Sequence, residues 1–511
     1  MEKRIDALFD NWKQGLCPGG QVLVIQKGKV LFEKCYGYAN LETQTPITPE
    51  SIFYVASTTK PFTGMCIMIL HDRGLLNVDD DVRKYIPDLI HFEEPLTIRQ
   101  MMNMVSGIRG YYELMHLQGR NHEDHYAQHE IRKIVGRQTK LNFQPGSEFV
   151  YTNANYMMLA TIVERLSGQT LNEFATENIF KPLGMDHSFI RDDPHRLIPN
   201  RVNSYHDDGY NFTNALLTFG IYGGTSLHTT CRDAVKFFDQ YREPTLISRE
   251  TLESVALKFP FIKEKQSHYG GGIQVEMLEG HKFYHHGGVN AGFRTMAMIF
   301  PEEELTIMVF SNTYNVPVTA VAKKVARIVL DLPMPEENYL EDYARETVSL
   351  EGVSGMYYNR KKNVHYDVEV RDGKVYLEGD YMAPVGGNRF KHGRRNVWMA
   401  ILEDGKVVTK HGAAIDELEK LTDYPEPNYL EGCVGKYYCD DVQGFFDVAY
   451  RDGKLWMEHL RFAPQELHWL GEDLFFYDKF KIRFTWGQEG KANGFLVTSP
   501  HLRNVEFVKV K

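Results

Sequence analysis

VASTTKPFTG, residues 55–64, is the stretch on which the reading turns. Ser57 and Lys60 stand three positions apart at the head of an apolar run. That run carries Phe62, Met65, Cys66, Met68, Ile69 and Leu70, a helical pattern reaching from about Ser57 to Arg73. At this spacing two side chains stack on one helix face, so an amine can meet a hydroxyl. A helix start also presents unpaired backbone N–H groups and a partial positive charge, which favour an oxyanion there. Pro61 falls in the first turn, where its missing N–H costs little. Ser-x-x-Lys arises often by chance, so the word needs company.

Company comes from two further stretches. FQPGSEFVYTNANY, residues 143–156, turns at Pro145-Gly146 before Tyr151-Thr152-Asn153. A phenol whose pKa is lowered by a nearby ammonium group can accept a proton from serine. Asn153 offers a donor and an acceptor, to hold Lys60 and a substrate amide. The bland alternative for Tyr151 is a half-buried aromatic. YHHGGVNAGF, residues 284–293, puts His286, Gly287 and Gly288 on a strand followed by a glycine-rich turn. Glycines let a ligand approach an edge strand closely. The adjacent His285 and His286 would point to opposite faces of that strand, which argues against a shared metal.

Together Ser57-x-x-Lys60, Tyr151-x-Asn153 and His286-x-Gly288, in this order, resemble the serine β-lactamase and penicillin-binding family, in its class C-like branch. The flanks FxPGxxFxY, Ser106-Gly107-Ile108 and YGGTSLHTTCRDA at 222–234 extend the resemblance over roughly residues 15–330. It implies an acyl-enzyme serine hydrolase that needs no cofactor and no metal. Ser57 is then the nucleophile, with Lys60, Tyr151 and His286 completing the catalytic set; which of Lys60 and Tyr151 is the base stays open. Asn153, Gly288 and Val289 would bind substrate, the backbone N–H groups of Ser57 and Val289 forming the oxyanion hole. Family members often carry His-Thr before Ser-Gly where this chain has Met104-Val105, a change expected at the cleft rim. His286 stands where many relatives have lysine. With an ordinary pKa of ~6.5 it would be largely neutral, so weak binding of penicillin and of free carboxylates is expected.

Around these words the chain divides. QVLVIQ and VLFEKCYGYAN flank a turn at Lys27-Gly28-Lys29, a β-hairpin near the N-terminus. Helical patches follow, with Thr230 to Asp233 reading as a capping box. Strands then return in GGIQVEML, HKFYHH, RTMAMIF and LTIMVFSN, ahead of a helix from about Pro317 to Leu332. The expected fold class is an α/β (α+β) β-lactamase/transpeptidase-like catalytic domain over 1–335, its sheet completed by both ends. Past the linker PMPEENYLEDY comes a repeat. LEGVSGMYY at 350–358 matches LEGCVGKYY at 430–438, and DVEVRDGKVYLE at 367–378 matches DVAYRDGKLWME at 447–458. Both words keep one register, and each copy sets Asp-Gly between alternating apolar runs, a hairpin signal. Two small antiparallel β-barrel (lipocalin-like) domains are expected, at 336–425 and 426–511.

That pair narrows the resemblance to the D-aminopeptidase branch, in which both β domains lie against the catalytic domain and a loop of the last enters the cleft. The implied activity is release of an N-terminal D-residue or glycine from short peptides or amides. A carboxylesterase or β-lactamase/D-alanyl-D-alanine carboxypeptidase-like hydrolase is the second reading. A non-catalytic sensor of peptides or peptidoglycan fragments is the third, against which the intact Ser57, Lys60, Tyr151 and Asn153 speak. No carboxylate for a substrate amine can be singled out.

The bulk properties trim the field. A formal net charge of −10 argues against a nucleic-acid surface. MEKRIDALFDNWKQGL breaks its apolar residues with charges, and no stretch approaches the ~20 apolar residues of a membrane span. A cytoplasmic protein is expected, with a small peptide, amide or ester substrate as partner, no nucleic acid, no membrane, and a homodimer as one admissible assembly. The six cysteines form no CxxC pair and read as buried free thiols. His122, His125 and His129 read as a solvated helix face, and Asp79-Asp80-Asp81 as a loop or helix start.

Overall fold

Alternation along QVLVIQ decides where the N-terminal hairpin lies. The computed structural model describes residues 1–511 apart from 122–123, 209–210, 219, 263–264, 315, 336–339, 347, 363, 393–396, 412–413, 422–424, 488–489 and 511. Its catalytic part runs α1 (Glu2–Ala7), β1 (Gly20–Gln26), β2 (Lys29–Tyr36), α2 (Lys60–Asp72), α3 (Tyr111–Leu117), α4 (Gln128–Gly136) and α5 (Asn153–Ser167). It continues through α6 (Cys231–Phe238), β3 (Tyr269–Gly270), β4 (Ile273–Leu278), β5 (His281–Asn290), β6 (Phe293–Phe300), β7 (Leu305–Ser311) and α7 (Val318–Val329). The strands form one antiparallel sheet in the order β3-β4-β5-β6-β7-β1-β2, so the N-terminal hairpin extends a sheet built from the far end of the domain. Val22 and Val24 enter the core under α1 and α7, while Leu23 faces the core shared with α2 and α5. With both faces covered, β6 and β7 read as near-continuous apolar runs.

Local signals were kept with small shifts. The helix expected from Ser57 begins as a 3-10 turn over Ala56–Thr59 and continues as α2. Thr230 caps α6 by accepting from the Asp233 N–H, but the Asp233 carboxylate turns to the His187 N–H and the Ser188 hydroxyl, so the box is one-sided. Asp81 caps the short turn Val82–Lys84, while Asp79 and Asp80 pair with Arg99 and Lys84.

The repeat becomes two barrels. Eight strands from Gly355 to Lys420 close on themselves. Nine strands from Gly435 to Val510 form a sheet whose end strands, Phe462–Glu466 and His468–Gly471, are separated in sequence by Leu467 alone. One residue spans about 3.8 Å, so those ends must meet and the sheet curls nearly shut. Both Asp-Gly pairs take positive φ at both residues, 51° and 70° at Asp372-Gly373, 52° and 79° at Asp452-Gly453. That is the turn which matches strand twist in a two-residue hairpin. Tyr357 donates to the Val353 carbonyl and Tyr437 to the Cys433 carbonyl, the same bond in each copy.

The barrels differ in what they touch. The first leans on the second, where Arg360 donates to the Leu470 carbonyl and His365 packs on Phe476 with ring centroids 4.1 Å apart. The second shares one apolar core with the catalytic domain. There Arg109 donates to Asp441 at 2.9 Å and Gln138 at 2.8 Å, and Arg503 pairs with Glu148 at 3.0 Å. Among the described residues no helix is long and apolar enough to cross a membrane. All six cysteines are free, five of them buried.

Candidate active site

The strand Phe53–Tyr54 delivers the chain to Ala56, which adopts φ of 47°. A left-handed backbone at a non-glycine residue is costly, by about 1 kcal/mol or more, and the surroundings must hold it. They do so through β5 and β6. The Thr295 hydroxyl donates to the Val55 carbonyl at 3.0 Å and lies 3.0 Å from the Thr58 hydroxyl. Gly288 makes this approach feasible: a Cβ there would lie 2.1 Å from the Val55 carbonyl oxygen. The β4 partner of β5 ends at His285, so the strand edge from His286 to Asn290 is unpaired on that side, and Val289 and Asn290 line the cleft. This sets an N–H-bearing edge beside the turn that carries Ser57.

Lys60 is fully buried, and its Nζ has three neighbours. It lies 3.0 Å from Ser57 Oγ, 2.6 Å from Asn153 Oδ1 and 2.8 Å from the Gly224 carbonyl oxygen. None of these is an anion. Burial without a counter-charge pushes the amine well below its usual range. A neutral amine has two hydrogens and one lone pair. Asn153 and Gly224 accept the two hydrogens, which leaves the lone pair for the Ser57 O–H. The geometry can therefore move a proton off Ser57 without a metal or a carboxylate.

Tyr151 closes the other side. Its ring centroid lies 4.8 Å from Lys60 Nζ. Burial raises the phenol above its usual range, and the nearby Ser57 hydroxyl offsets part of that rise. The Tyr151 hydroxyl has no partner at hydrogen-bond geometry among the described residues. Such a phenol stays protonated near neutrality and is available to donate. Thr152 caps α5, so Asn153 is the first helical residue and points back at Lys60.

His286 is buried behind Tyr151, with ring centroids 6.3 Å apart. Its Nδ1 donates to the Gly287 carbonyl at 2.7 Å, so Nε2 accepts from the Tyr269 hydroxyl at 3.2 Å. Burial pushes its pKa down to about 3. His286 is thus a neutral acceptor that bonds Tyr269 and packs beside Tyr151. Tyr269 is a site neighbour the sequence reading missed; an aromatic residue before three glycines gives no sign that it reaches His286.

The cleft has a volume of about 930 Å³, and Tyr112, Thr225, Val289 and Arg294 line it along with Ser57 and Asn153. Two expectations need correction. Met104 and Val105 are buried, and Met104 Sδ accepts from the Thr152 N–H at 3.4 Å. Their place is beneath the Tyr151 segment, where an apolar pair suits the core, and not on the rim. Among the described residues lining the cleft none comes from the second barrel, which docks instead on Arg109, α3 and the 138–148 segment. Arg294, held by the Ala291 and Phe293 carbonyls, also lines the cleft. Of the three histidines read as a helix face, His129 lies on α4 and His125 bonds to the Thr218 carbonyl, while His122 falls outside the described residues.

With the geometry in place, comparison with known proteins settles the family. Residues 5–330 match the family model described as Beta-lactamase. The chain belongs to the Beta-lactamase family. It is 27% identical over 367 residues to a D-aminopeptidase of Gluconobacter oxydans, covering 70% of this chain and 66% of that protein, just under two thirds of its length. A D-aminopeptidase of Brucella anthropi is 23% identical over 512 residues, covering 97% of this chain and 96% of that one. The solved D-amino acid amidase from Ochrobactrum anthropi SV3, complexed with L-phenylalanine amide, shares the fold at a TM-score of 0.55 and 19% identity, covering 64% of this chain and 98% of that one. Membership and these relatives indicate a serine hydrolase, whose β-lactamase-like α/β domain is followed in the structure by two C-terminal barrels.

Proposed function

We propose that this hydrolase is a D-aminopeptidase or D-amino-acid amidase acting through an acyl-enzyme on Ser57. The observation that carries the chemistry is the 3.0 Å contact between Lys60 Nζ and Ser57 Oγ, with no anion on the amine. Lys60 takes the Ser57 proton as the serine oxygen attacks the carbonyl carbon. Backbone N–H groups of Ser57 and Val289 receive the oxyanion. Tyr151 donates its proton to the leaving amine as the C–N bond breaks and recovers one from Lys60. Water then repeats the cycle on the ester and frees Ser57. His286, Asn153 and Gly288 hold this arrangement and the substrate amide. The preference for D-residues is supported by the two D-aminopeptidase relatives, one matched over nearly the whole chain.

A second reading, an esterase or β-lactamase, draws on a specific observation. Among the described residues lining the cleft none is a carboxylate that would hold a free amine. Hydrolysis of D- and L-alanine p-nitroanilides, beside p-nitrophenyl acetate and nitrocefin, separates the readings. Ser57-dependent release from the D-anilide, with little from its L partner, is the expected result. Ester or nitrocefin turnover without anilide cleavage would move the protein to the second reading.

A further inference from the structure

Beside the catalytic cleft lies a second, smaller cavity that the mechanism does not use. Its volume is about 210 Å³, and Asn214 and Leu216 line both spaces. Tyr54, which also lines the smaller cavity, accepts a hydrogen bond from Asn290 at 2.9 Å, and Asn290 lines the cleft. The two spaces thus share part of their lining. Leu216, in that shared lining, is 70% exposed.

The cavity is cationic. Arg191 and Arg201 line it, with Arg191 only 2% exposed. Among the described residues the Arg201 guanidinium has no hydrogen-bonded or ion-paired partner. Glu42 is the lining carboxylate, and the Asn214 amide already donates to it at 2.9 Å. A third guanidinium, Arg196, lies 3.9 Å from the centroid of Phe189, whose other face stacks on His228 at 5.2 Å. His228 lines the cavity too, and burial and then Arg191 force its pKa down to about 3, so it adds no charge. With Glu42 engaged by Asn214 and Asp193 close to Arg191, Arg201 is the open fork that an anion entering the cavity would meet. Guanidinium forks match a planar carboxylate in shape as well as charge.

We propose that the cavity bounded by Arg191, Arg201 and His228 is a carboxylate subsite, taking the acidic side chain of the residue whose carbonyl Ser57 attacks. The assignment rests on the serine-hydrolase reading above and narrows its substrates to residues of the aspartate and glutamate kind. It also gives the cleft a recognition element made of cations, where no anion for an amine is in place.

The test compares D-glutamyl and D-glutaminyl p-nitroanilides, which differ in charge and hardly in shape, on the full chain. The wild type should favour the acidic substrate in kcat/KM by about tenfold or more, the scale of one charge-assisted pair. In Arg201→Gln that ratio should fall by about the same factor; Arg201 is exposed, so the variant should fold. Arg191→Gln should act alike if it folds. A ratio near one in the wild type, or one unchanged in Arg201→Gln, overturns the proposal. Glutarate binding, read as a rise in Tm of Ser57→Ala and its loss in Ser57→Ala/Arg201→Gln, needs no turnover. Glutarate binding without anilide cleavage would keep the carboxylate site and sink the aminopeptidase reading. Cleavage with neither glutarate binding nor acidic preference would do the reverse. Equal stabilisation by inorganic phosphate with no acidic preference would make this a free-anion site and contradict the proposal.

Discussion

Lys60 and Arg109 are both buried basic side chains, 0% and 2% exposed, and they have opposite surroundings. Around Lys60 are a hydroxyl, an amide oxygen and a backbone carbonyl. Around Arg109 are the Asp441 carboxylate, the Gln138 amide oxygen and the Arg503 carbonyl. Burial pulls both pKa values down, but for Arg109 Asp441 works against the shift, and nothing does so for Lys60. A guanidinium starts so high that it stays charged, whereas a lysine amine can be emptied of its proton. The carboxylate makes the difference. With one, a buried cation clasps two domains together; without one, it becomes a base.

Replacing the base should give the largest effect. Lys60→Met is expected to reduce Ser57-dependent turnover by about 10²–10⁴-fold, the range for a lost general base. Stability supplies an independent check. Unfolded, Lys60 holds its proton to a pH of ~10.4; folded, its lowered pKa releases it. Between those values the unfolded chain binds more protons, so wild-type stability should rise with pH relative to Lys60→Met, by about 1.4 kcal/mol per unit. Urea unfolding at several alkaline pH values reads this slope. Parallel curves for the two proteins would mean that Lys60 is charged in the fold, and the contrast with Arg109 would collapse.

Breaking the clasp should cost less and should appear in stability. Arg109→Ala leaves Asp441 and Gln138 without their donor, and is expected to destabilise the chain by about 2–3 kcal/mol, less than a fully buried pair because Asp441 is partly exposed. Arg109→Lys should recover less than half of this, since the fork is lost. A control at the contact between barrels, Arg360→Ala, should cost under about 1 kcal/mol. Equal effects at the two positions, measured by urea unfolding, would show that the second barrel is no more tightly joined to the catalytic domain than the first barrel is to the second.

The two buried basic residues were not equally legible in the sequence. Lys60 stands in a word with Ser57, and the spacing alone places the amine beside the hydroxyl. Tyr151, Asn153 and His286 lie in words of their own, and the structure brings Tyr151 and Asn153 to Lys60 and His286 against Tyr151. Arg109 carries no such mark. Its partner Asp441 lies 332 positions away and outside the repeated words, so their meeting is a product of docking, invisible to local pattern. The same holds for Tyr269 on His286 and for Arg201 beside the cleft. The sheet and the barrels were readable because alternation and the Asp-Gly turns are local physics. Met104-Val105 was misplaced on the rim because a family flank gives position along the chain and not depth.

Labelling by a fluorophosphonate probe, mapped by mass spectrometry across a pH series, addresses the central claim most directly. One adduct per chain on Ser57 is expected, forming more slowly as acid returns a proton to Lys60 and greatly slowed in Lys60→Met. An adduct on another residue, no adduct on a folded sample, or Ser57 labelling untouched by Lys60→Met would contradict a serine nucleophile driven by a neutral lysine.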